Sequence, residues 1–499
     1  MASLECRKKR ILVANRGEIA IRITKAIKEL GYVAVGVYSD IDENSPHLFF
    51  ADEAYHIGPS EAAKSYLNID KIIAISKKNN IDAIHPGYGF LAENSNFAKI
   101  VEENNFIWIG PPYKVMYDAG DKLRARKLAQ KAGVPIVPGA SLEKGSNPIE
   151  QANELGYPVL IKASGGGGGK GMRIANNDKE LIDSIDVAKK EAEASFSDPT
   201  VYLEKYILDP HHIEIQIMAD NFGNYYYFPE RECSIQRRYQ KIIEESPSTT
   251  INREKAKMMG EAAVSLAKEV GYRSAGTVEF LVDKDKNFYF LEINARIQVE
   301  HPITEEITNI DLVESQIKMA FGNKLLLNQK ELNKPVGHAI EARVYAENPS
   351  NNFMPDAGII KHYKRPSNAG VRIDSGGNKG AEIPIYYDPI ISKVIAKGSD
   401  RKQALVRLYN ALSGYHIYPI KTNIKFLMNI IKHSHFANGT YNTKFIDTHF
   451  EELSPITNNN TPLAIACYYY LNKVTSGGGL TSSENKMEEC WTFLKNFRG

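Results

Sequence analysis

Cysteine is scarce in this 499-residue chain: Cys6, Cys233, Cys467 and Cys490 are scattered with no C-x-x-C pair. Neither a disulfide scaffold nor a cysteine-based zinc ribbon organises it. An excess of one charge is also missing, because 62 Lys and Arg stand against 60 Asp and Glu for a net charge of +2. That balance excludes a polycationic nucleic-acid binder and an acidic disordered tail. No run approaches the roughly 18 apolar residues of a membrane span. After Arg7-Lys8-Lys9-Arg10 only four apolar residues precede Asn15-Arg16, too few for a signal-peptide core. The expectation is a cytoplasmic, soluble protein with no nucleic-acid or membrane partner. At about 150 residues per domain, the length predicts roughly three domains.

The chain opens with a βαβ pattern: a strand from Ile11 to Ala14, a turn at Gly17, a helix through Ile19, Ile23, Ile27 and Leu30, and a strand from Val33 to Tyr38. A further strand, Ala83 to His85, enters the loop Pro86-Gly87-Tyr88-Gly89-Phe90. A helix from about Glu93 then leads to a strand from Phe106 to Ile109, giving an N-terminal parallel α/β domain. Asp40 ends the second strand where a ribose-binding acid would sit. However, Asn15-Arg16-Gly17-Glu18 has one glycine where a dinucleotide fingerprint needs three. The stretch from Pro111 to Pro138 reads as helical, and Pro135, Pro138 and Gly139 mark a boundary. Beyond Pro335, strands such as His338 to Tyr345 and Ile383 to Ala396 alternate with turns and suggest a separate mixed domain to about Phe450.

Two stretches carry the chemistry. The strand Tyr157 to Ala163 runs through Lys162 into Ser164 and five glycines, then Lys170. Such a loop can close backbone N–H groups on phosphate with no Cβ in the way. It is not a Walker A loop, because no Ser or Thr follows Lys170 and a strand, not a helix, comes next. A glycine flap over a nucleotide fits better than a linker. The second stretch, Gly276 to His301, reads as two strands joined at Lys284-Asp285-Lys286-Asn287. Pairing Asp283 with Phe288 sets Glu279 opposite Glu292, and two facing carboxylates suit a bridging hard cation such as Mg²⁺. Period-two alternation along a continued strand places Glu292, Asn294, Arg296, Gln298 and Glu300 on one face. There Asn294 offers a neutral ligand, Arg296 a fork for a flat anion, and Glu300 a base. Gln236-Arg237-Arg238-Tyr239-Gln240-Lys241 has three cations in six residues, which suits a triphosphate, a small anion or a solvated edge.

Taken together, Leu12 to Ala20, His85 to Leu91, Lys162-Ala163-Ser164 with the glycine flap, Glu204-Lys205-Tyr206, and Arg296-Ile297-Gln298-Val299-Glu300-His301-Pro302 resemble the biotin carboxylase family of ATP-grasp enzymes from about Arg10 to Phe450. The resemblance implies an α/β and α+β multidomain fold. Residues 1–114 would be the N-terminal α/β domain and 115–334 the ATP-grasp domain, with a lid at about 135–206. Residues 335–450 would be the C-terminal mixed α/β domain and 451–499 a short extension.

By the same resemblance Lys122, Lys162, Gly168 and Gly169 would hold phosphates, Glu204, Lys205, Tyr206 and Ile207 would line the adenine pocket, and His212 and Gln236 would meet the ribose. Glu279, Glu292 and Asn294 would carry magnesium or manganese. Lys241, Arg296, Gln298 and the Val299 backbone would hold bicarbonate, with Glu300 as base. Arg343 would stabilise the biotin enolate, and Tyr88 would lie near the ureido ring. Tyr239 stands where the family has His, Ala295 where Thr or Ser is common, and Pro419 where Gly is usual.

The implied reaction is ATP-dependent carboxylation of biotin, and no Met-Lys-Met carrier triplet occurs in the chain. The expected partners are therefore a biotin carboxyl carrier protein and carboxyltransferase subunits, with the chain a homodimer within a larger acyl-CoA carboxylase. Rival readings are a pyruvate carboxylase subunit, another bicarbonate-activating ligase such as a carbamoyl-phosphate synthetase half, a dehydrogenase, and a non-catalytic scaffold. In the extension, helix candidates at 463–471 and 487–497 would fold back or dock to another subunit.

Overall fold

A computed structural model describes residues 7–142, 146–164, 172–196 and 198–455. Its first unit is a five-stranded parallel sheet of β1 (Arg10–Val13), β2 (Val33–Ser39), β3 (Glu53–Gly58), β4 (Ala83–His85) and β5 (Ile107–Trp108), in the order β3-β2-β1-β4-β5. The apolar run Ile11-Leu12-Val13 is buried to within 1% because both faces of the sheet are covered. One contact aims this unit at the chemistry. The Asn15 amide donates to the carbonyls of Pro86 and Tyr88, each at 2.7 Å, tying the first βα turn to the loop that carries Tyr88. Gly87 sits at φ +66°, and a Cβ there would come within 2.9 Å of that amide, so the approach requires glycine.

The lid is an antiparallel sheet of β6 (Gly139–Ser141), β7 (Val159–Ala163), β8 (Arg173–Ala175) and β9 (Val201–Lys205), ordered β6-β9-β7-β8. Val159, Ile161 and Ala163 pack on Leu181, Ile185 and Ala188 of the helix Asp178–Phe196. The alternate position Lys162 is thereby turned to the other face. Gly168 and Gly169 lie outside the described residues.

The site is built on one nine-stranded sheet. β10 (His211–Ala219), β11 (Tyr225–Tyr227), β12 (Arg231–Arg237), β13 (Gln240–Ser246), β14 (Ser274–Val282), β15 (Phe288–Asn294) and β16 (His338–Tyr345) join the strands Val371–Ser375 and Ile390–Gly398. The order is β15-β14-β10-β12-β13-β16, then Ile390–Gly398 and Val371–Ser375, with β11 beside β10. The sheet runs without a break across position 335.

Four expectations need correcting. Asp283 is not paired with Phe288; the turn spans 283–287, closed by Asp283 N–H to the Asn287 carbonyl, and Val282 faces Phe288. A bulge at Leu291 then shifts the register, so Glu279 does face Glu292. Without that bulge Glu292 would share the core face of Phe288 and Phe290. Second, the polar strand does not continue to Glu300. It ends at Asn294, and Glu300 caps the helix His301–Thr308. Third, Ile383 to Ala396 is not one strand, since Glu382–Ile383 is a separate short piece before Ile390–Gly398. Fourth, the basic run is dispersed: Arg238 and Tyr239 form the two-residue tip of the β12–β13 hairpin, both at positive φ. Arg237 lies over the Phe353 ring and Arg238 reaches Asn352, leaving Lys241 alone in the site. The extension candidates at 463–471 and 487–497 lie outside the described residues.

Candidate active site

The centre of the site is one ammonium among three carboxylates. Lys241 Nζ lies 2.6 Å from Glu214, 2.7 Å from Glu279 and 2.7 Å from Glu300. β10, β14 and the cap of the helix His301–Thr308 supply those carboxylates. Burial works against the charged amine, yet Glu214, Glu279 and Glu300 together hold it well above the ordinary lysine range. A second bulge, at Ile242, makes this possible. It inserts one residue between Lys241 and Ile243, so that Lys241 and Glu244, three apart in sequence, turn to the same face.

Glu279 is the most heavily bonded of the group. Besides Lys241, its Oε1 accepts from the amides of Asn294 at 2.9 Å and Gln298 at 3.0 Å, while His212 Nε2 stands 2.8 Å from Oε2. Burial would raise this carboxyl, but Lys241 and His212 outweigh it and keep Glu279 well below the usual range. Glu292, opposite, goes the other way: burial and then the Glu279 charge push its proton affinity up. A buried carboxylate and a half-buried one of opposed tendency on facing strands fit a hard divalent cation, which would add to the counter-charge that Lys122 gives Glu292.

Arg296 bonds Gln298 at 2.8 Å and Asn294 at 3.1 Å, and ion-pairs with Glu93 at 2.9 Å. The strand ends before it, but the side chains of 294, 296 and 298 still converge. Glu300 is brought in from the far side, bonded by Lys241 and, at 2.9 Å, by Arg343 of β16. Burial alone would raise Glu300; Lys241, Arg343 and Arg231 reverse this and hold it ionised. Arg343 is itself anchored, Nε donating to Glu244 at 2.6 Å.

On the lid side Lys162 donates to Glu204 at 2.7 Å, and Arg126 takes the other oxygen at 2.8 Å. Lys122 begins the helix Lys122–Lys131 behind its cap Asp121; burial lowers its pKa, opposed chiefly by Glu292. Lys205 does not face the same space. Its ammonium bonds the Gly156 carbonyl at 2.6 Å, because alternation along β9 turns it away from Glu204. Tyr206 lies beside Tyr239 and Lys444. Ile207 follows β9 directly, and Gln236 faces Lys241 across the β12–β13 ladder.

Three family models cover most of the chain: the biotin carboxylase N-terminal domain at 7–116, the carbamoyl-phosphate synthase L chain ATP-binding domain at 121–328, and the biotin carboxylase C-terminal domain at 341–448. Biotin carboxylase 1 of Bacillus subtilis (strain 168) is 50% identical over 444 residues, which are 88% of this chain and 98% of that one. The chain belongs to the biotin carboxylase family. The human mitochondrial propionyl-CoA carboxylase alpha chain is 48% identical over 441 residues, and this biotin carboxylase spans 60% of its length. The biotin carboxylase domain dimer of Hydrogenobacter thermophilus 2-oxoglutarate carboxylase, solved with MgADP, ADP and bicarbonate, superposes with a TM-score of 0.86. It is 43% identical, over 90% of this chain and 99% of that one.

Several residues of this biotin carboxylase site were not foreseen from sequence. Lys393 is fully buried on the strand Ile390–Gly398; its Nζ donates to the Val299 carbonyl at 2.8 Å and lies 3.2 Å from Glu18. The Tyr88 hydroxyl donates to the same Glu18. Val299 is thus held through its carbonyl, and Tyr88 is fixed by an acid from the first helix. Glu244 and Arg126 carry no local signal, and Glu214 was given no role, although its place inside the apolar alternation Ile213-Glu214-Ile215 is a signal, since burial there demands a partner. Among the described residues no helix is long and apolar enough to cross a membrane.

Proposed function

We propose that this chain carboxylates biotin at its ureido nitrogen, using ATP and bicarbonate through carboxyphosphate, as the first half-reaction of an acyl-CoA carboxylase. ATP, Mg²⁺ and carrier-borne biotin are the reactants and cofactors of the family. The observation that carries the reading is the Lys241–Glu300–Arg343 chain. One base, held ionised, sits between a cation on the phosphate side and a guanidinium on the other.

Bicarbonate would take Lys241, Arg296, Gln298 and the Val299 backbone as its partners. As the anion engages Lys241, Glu300 loses its strongest counter-charge, and its proton affinity climbs toward that of a working base. Glu300 then accepts the bicarbonate proton while the bicarbonate oxygen attacks the γ-phosphorus and ADP leaves. Carboxyphosphate breaks into CO₂ and phosphate; phosphate takes the ureido proton, and the nitrogen attacks CO₂. Arg343 would stabilise the enolate oxygen that develops on biotin, with Tyr88 beside it. Lys122 and Lys162 would offset charge on the phosphates, together with Gly168 and Gly169 of the flap; Glu204 and Tyr206–Ile207 would flank adenine, and His212 and Gln236 the ribose. Glu279, Glu292 and Asn294 would hold Mg²⁺, which neutralises phosphoryl charge when bound.

The 499 residues contain no Met-Lys-Met triplet, so biotin is read as arriving from outside them, on a carrier protein that also meets carboxyltransferase subunits. The deciding experiment is ADP release from the purified chain with free biotin. The reading requires dependence on both bicarbonate and biotin, with carboxybiotin as product; ATP hydrolysis indifferent to biotin would refute it. The acyl-CoA assignment is tested by reconstitution with candidate transferases and acetyl-CoA, propionyl-CoA or pyruvate.

A further inference from the structure

Away from this site, the last described segment gathers three imidazoles and a carboxylate. His433 follows the helix Ile424–Lys432, and His449 and Glu452 belong to the turn around Phe450–Leu453. Glu452 touches both rings at once: Oε2 lies 3.2 Å from His433 Nε2 and Oε1 3.2 Å from His449 Nδ1. One ligand atom from each of the three falls within 4.8 Å of the others. The His433 and His449 rings are 4.4 Å apart, and His435 lies 5.6 and 5.2 Å from them. Phe445 packs on His433 at 5.1 Å and His449 at 5.3 Å, so the two rings are held in place before anything binds.

A carboxylate two-thirds exposed to solvent gains little from a hydrogen-bonded pair of this kind. Crowded imidazoles also repel one another if protonated. The arrangement makes sense around a shared cation. Bonds of about 2.0–2.2 Å to nitrogen and oxygen put ligand atoms roughly 3.3–3.6 Å apart around a tetrahedral ion. Each Glu452 oxygen already stands 3.2 Å from one imidazole nitrogen, close to that spacing.

We propose that His433 Nε2, His449 Nδ1 and Glu452 bind a divalent transition-metal ion of the Zn²⁺ class, separate from the catalytic magnesium. Imidazole donors select Zn²⁺, Co²⁺ or Ni²⁺ over Mg²⁺, which demands oxygen. Coordination through Nε2 takes the His433 tautomer that carries its proton on Nδ1, which forgoes the long 3.4 Å contact from the His435 backbone N–H. The ion would close the loop between 433 and 449. That loop rests on the Tyr206–Pro210 segment, through Thr443 N–H to the Pro210 carbonyl at 3.1 Å and Lys444 over the Tyr206 ring.

The test is equilibrium dialysis of chelator-treated full-length protein against Zn²⁺ or Mg²⁺, with metal counting and thermal melts. The expected result is one bound Zn²⁺ that Mg²⁺ does not displace, a melting temperature raised by a few degrees, and both effects lost in His449→Gln and Glu452→Gln. Co²⁺ substitution should give ligand-field bands without a thiolate charge-transfer band, separating the site from the cysteines. No zinc binding by the parent, zinc retained in full by both variants, or a thiolate band would overturn the proposal. If His449→Gln melts low without metal, the Glu452→Gln comparison decides.

Discussion

Glu300 and Arg343 touch one another but should fail differently. Glu300→Gln removes the group proposed to accept the bicarbonate proton; bicarbonate-dependent ATP cleavage should fall by about 10²- to 10⁴-fold while nucleotide binding persists, as a fluorescent ATP analogue would report. Arg343→Ser should leave more ATP cleavage than carboxybiotin formation. The guanidinium also orients Glu300 at 2.9 Å, so ATP cleavage should drop modestly, by roughly tenfold or less, against a loss of about 10²-fold or more in carboxybiotin. Equal losses would make Arg343 a support for the base alone. Glu279, Glu292, Asn294, Arg296, Gln298 and Glu300 all lie in one short stretch, which is why a local reading groups them, although a bulge sets the Glu292 pairing and Glu300 stands beyond the end of the strand as a helix cap. Lys393 was not legible beforehand, because nothing local marks a lysine in Ile391-Ser392-Lys393-Val394 as the partner of Glu18, 375 positions earlier.

At the scale of strands, bulges decide which side chains meet. Deleting Leu291 removes the unpaired residue and leaves Glu292 directly after Phe290, so Glu292 should still face Glu279 and metal-dependent MgATP turnover should survive. Glu292→Gln, by contrast, should lower turnover most at low Mg²⁺, with partial rescue by excess Mg²⁺ or Mn²⁺. A magnesium titration of the two variants separates these outcomes. β13 also carries a stability element. Glu245 is bonded by His338, by both nitrogens of an Arg401 fork and by Tyr441. Burial would raise its carboxyl, but the His338 and Arg401 hydrogen bonds pull it down to about 2. A folded value below the unfolded one means stability that is complete above the ordinary value near 4.5 and drains away as pH falls toward 2. This contribution is on the order of 3 kcal/mol at neutral pH. Urea melts from pH 6 to 3 should show the decline, and Glu245→Gln should flatten it from an already lowered start.

Across the whole molecule, Lys393 links the nine-stranded sheet to the first helix through Glu18 and to the active-site loop through Val299. Burial, only partly offset by Lys393, already pushes Glu18 up to about 7. Lys393→Met should strand that carboxyl, destabilise the protein by about 3 kcal/mol, and be partly rescued by adding Glu18→Gln, which a double-mutant cycle in urea would measure. The amino-acid sequence by itself determined the parallel α/β start, the strands on either side of the glycine run and the family, since each rests on short-range periodicity or on contiguous motifs. Only the tertiary structure decided that a bulge brings Glu292 opposite Glu279, that Arg237 and Arg238 are drawn off to Phe353 and Asn352, that Glu300 arrives as a helix cap, and that Glu18, Tyr88 and Lys393 converge. Those outcomes depend on bulges and on strand neighbours far apart in the chain, and a one-residue shift there reverses every side chain without changing any local propensity.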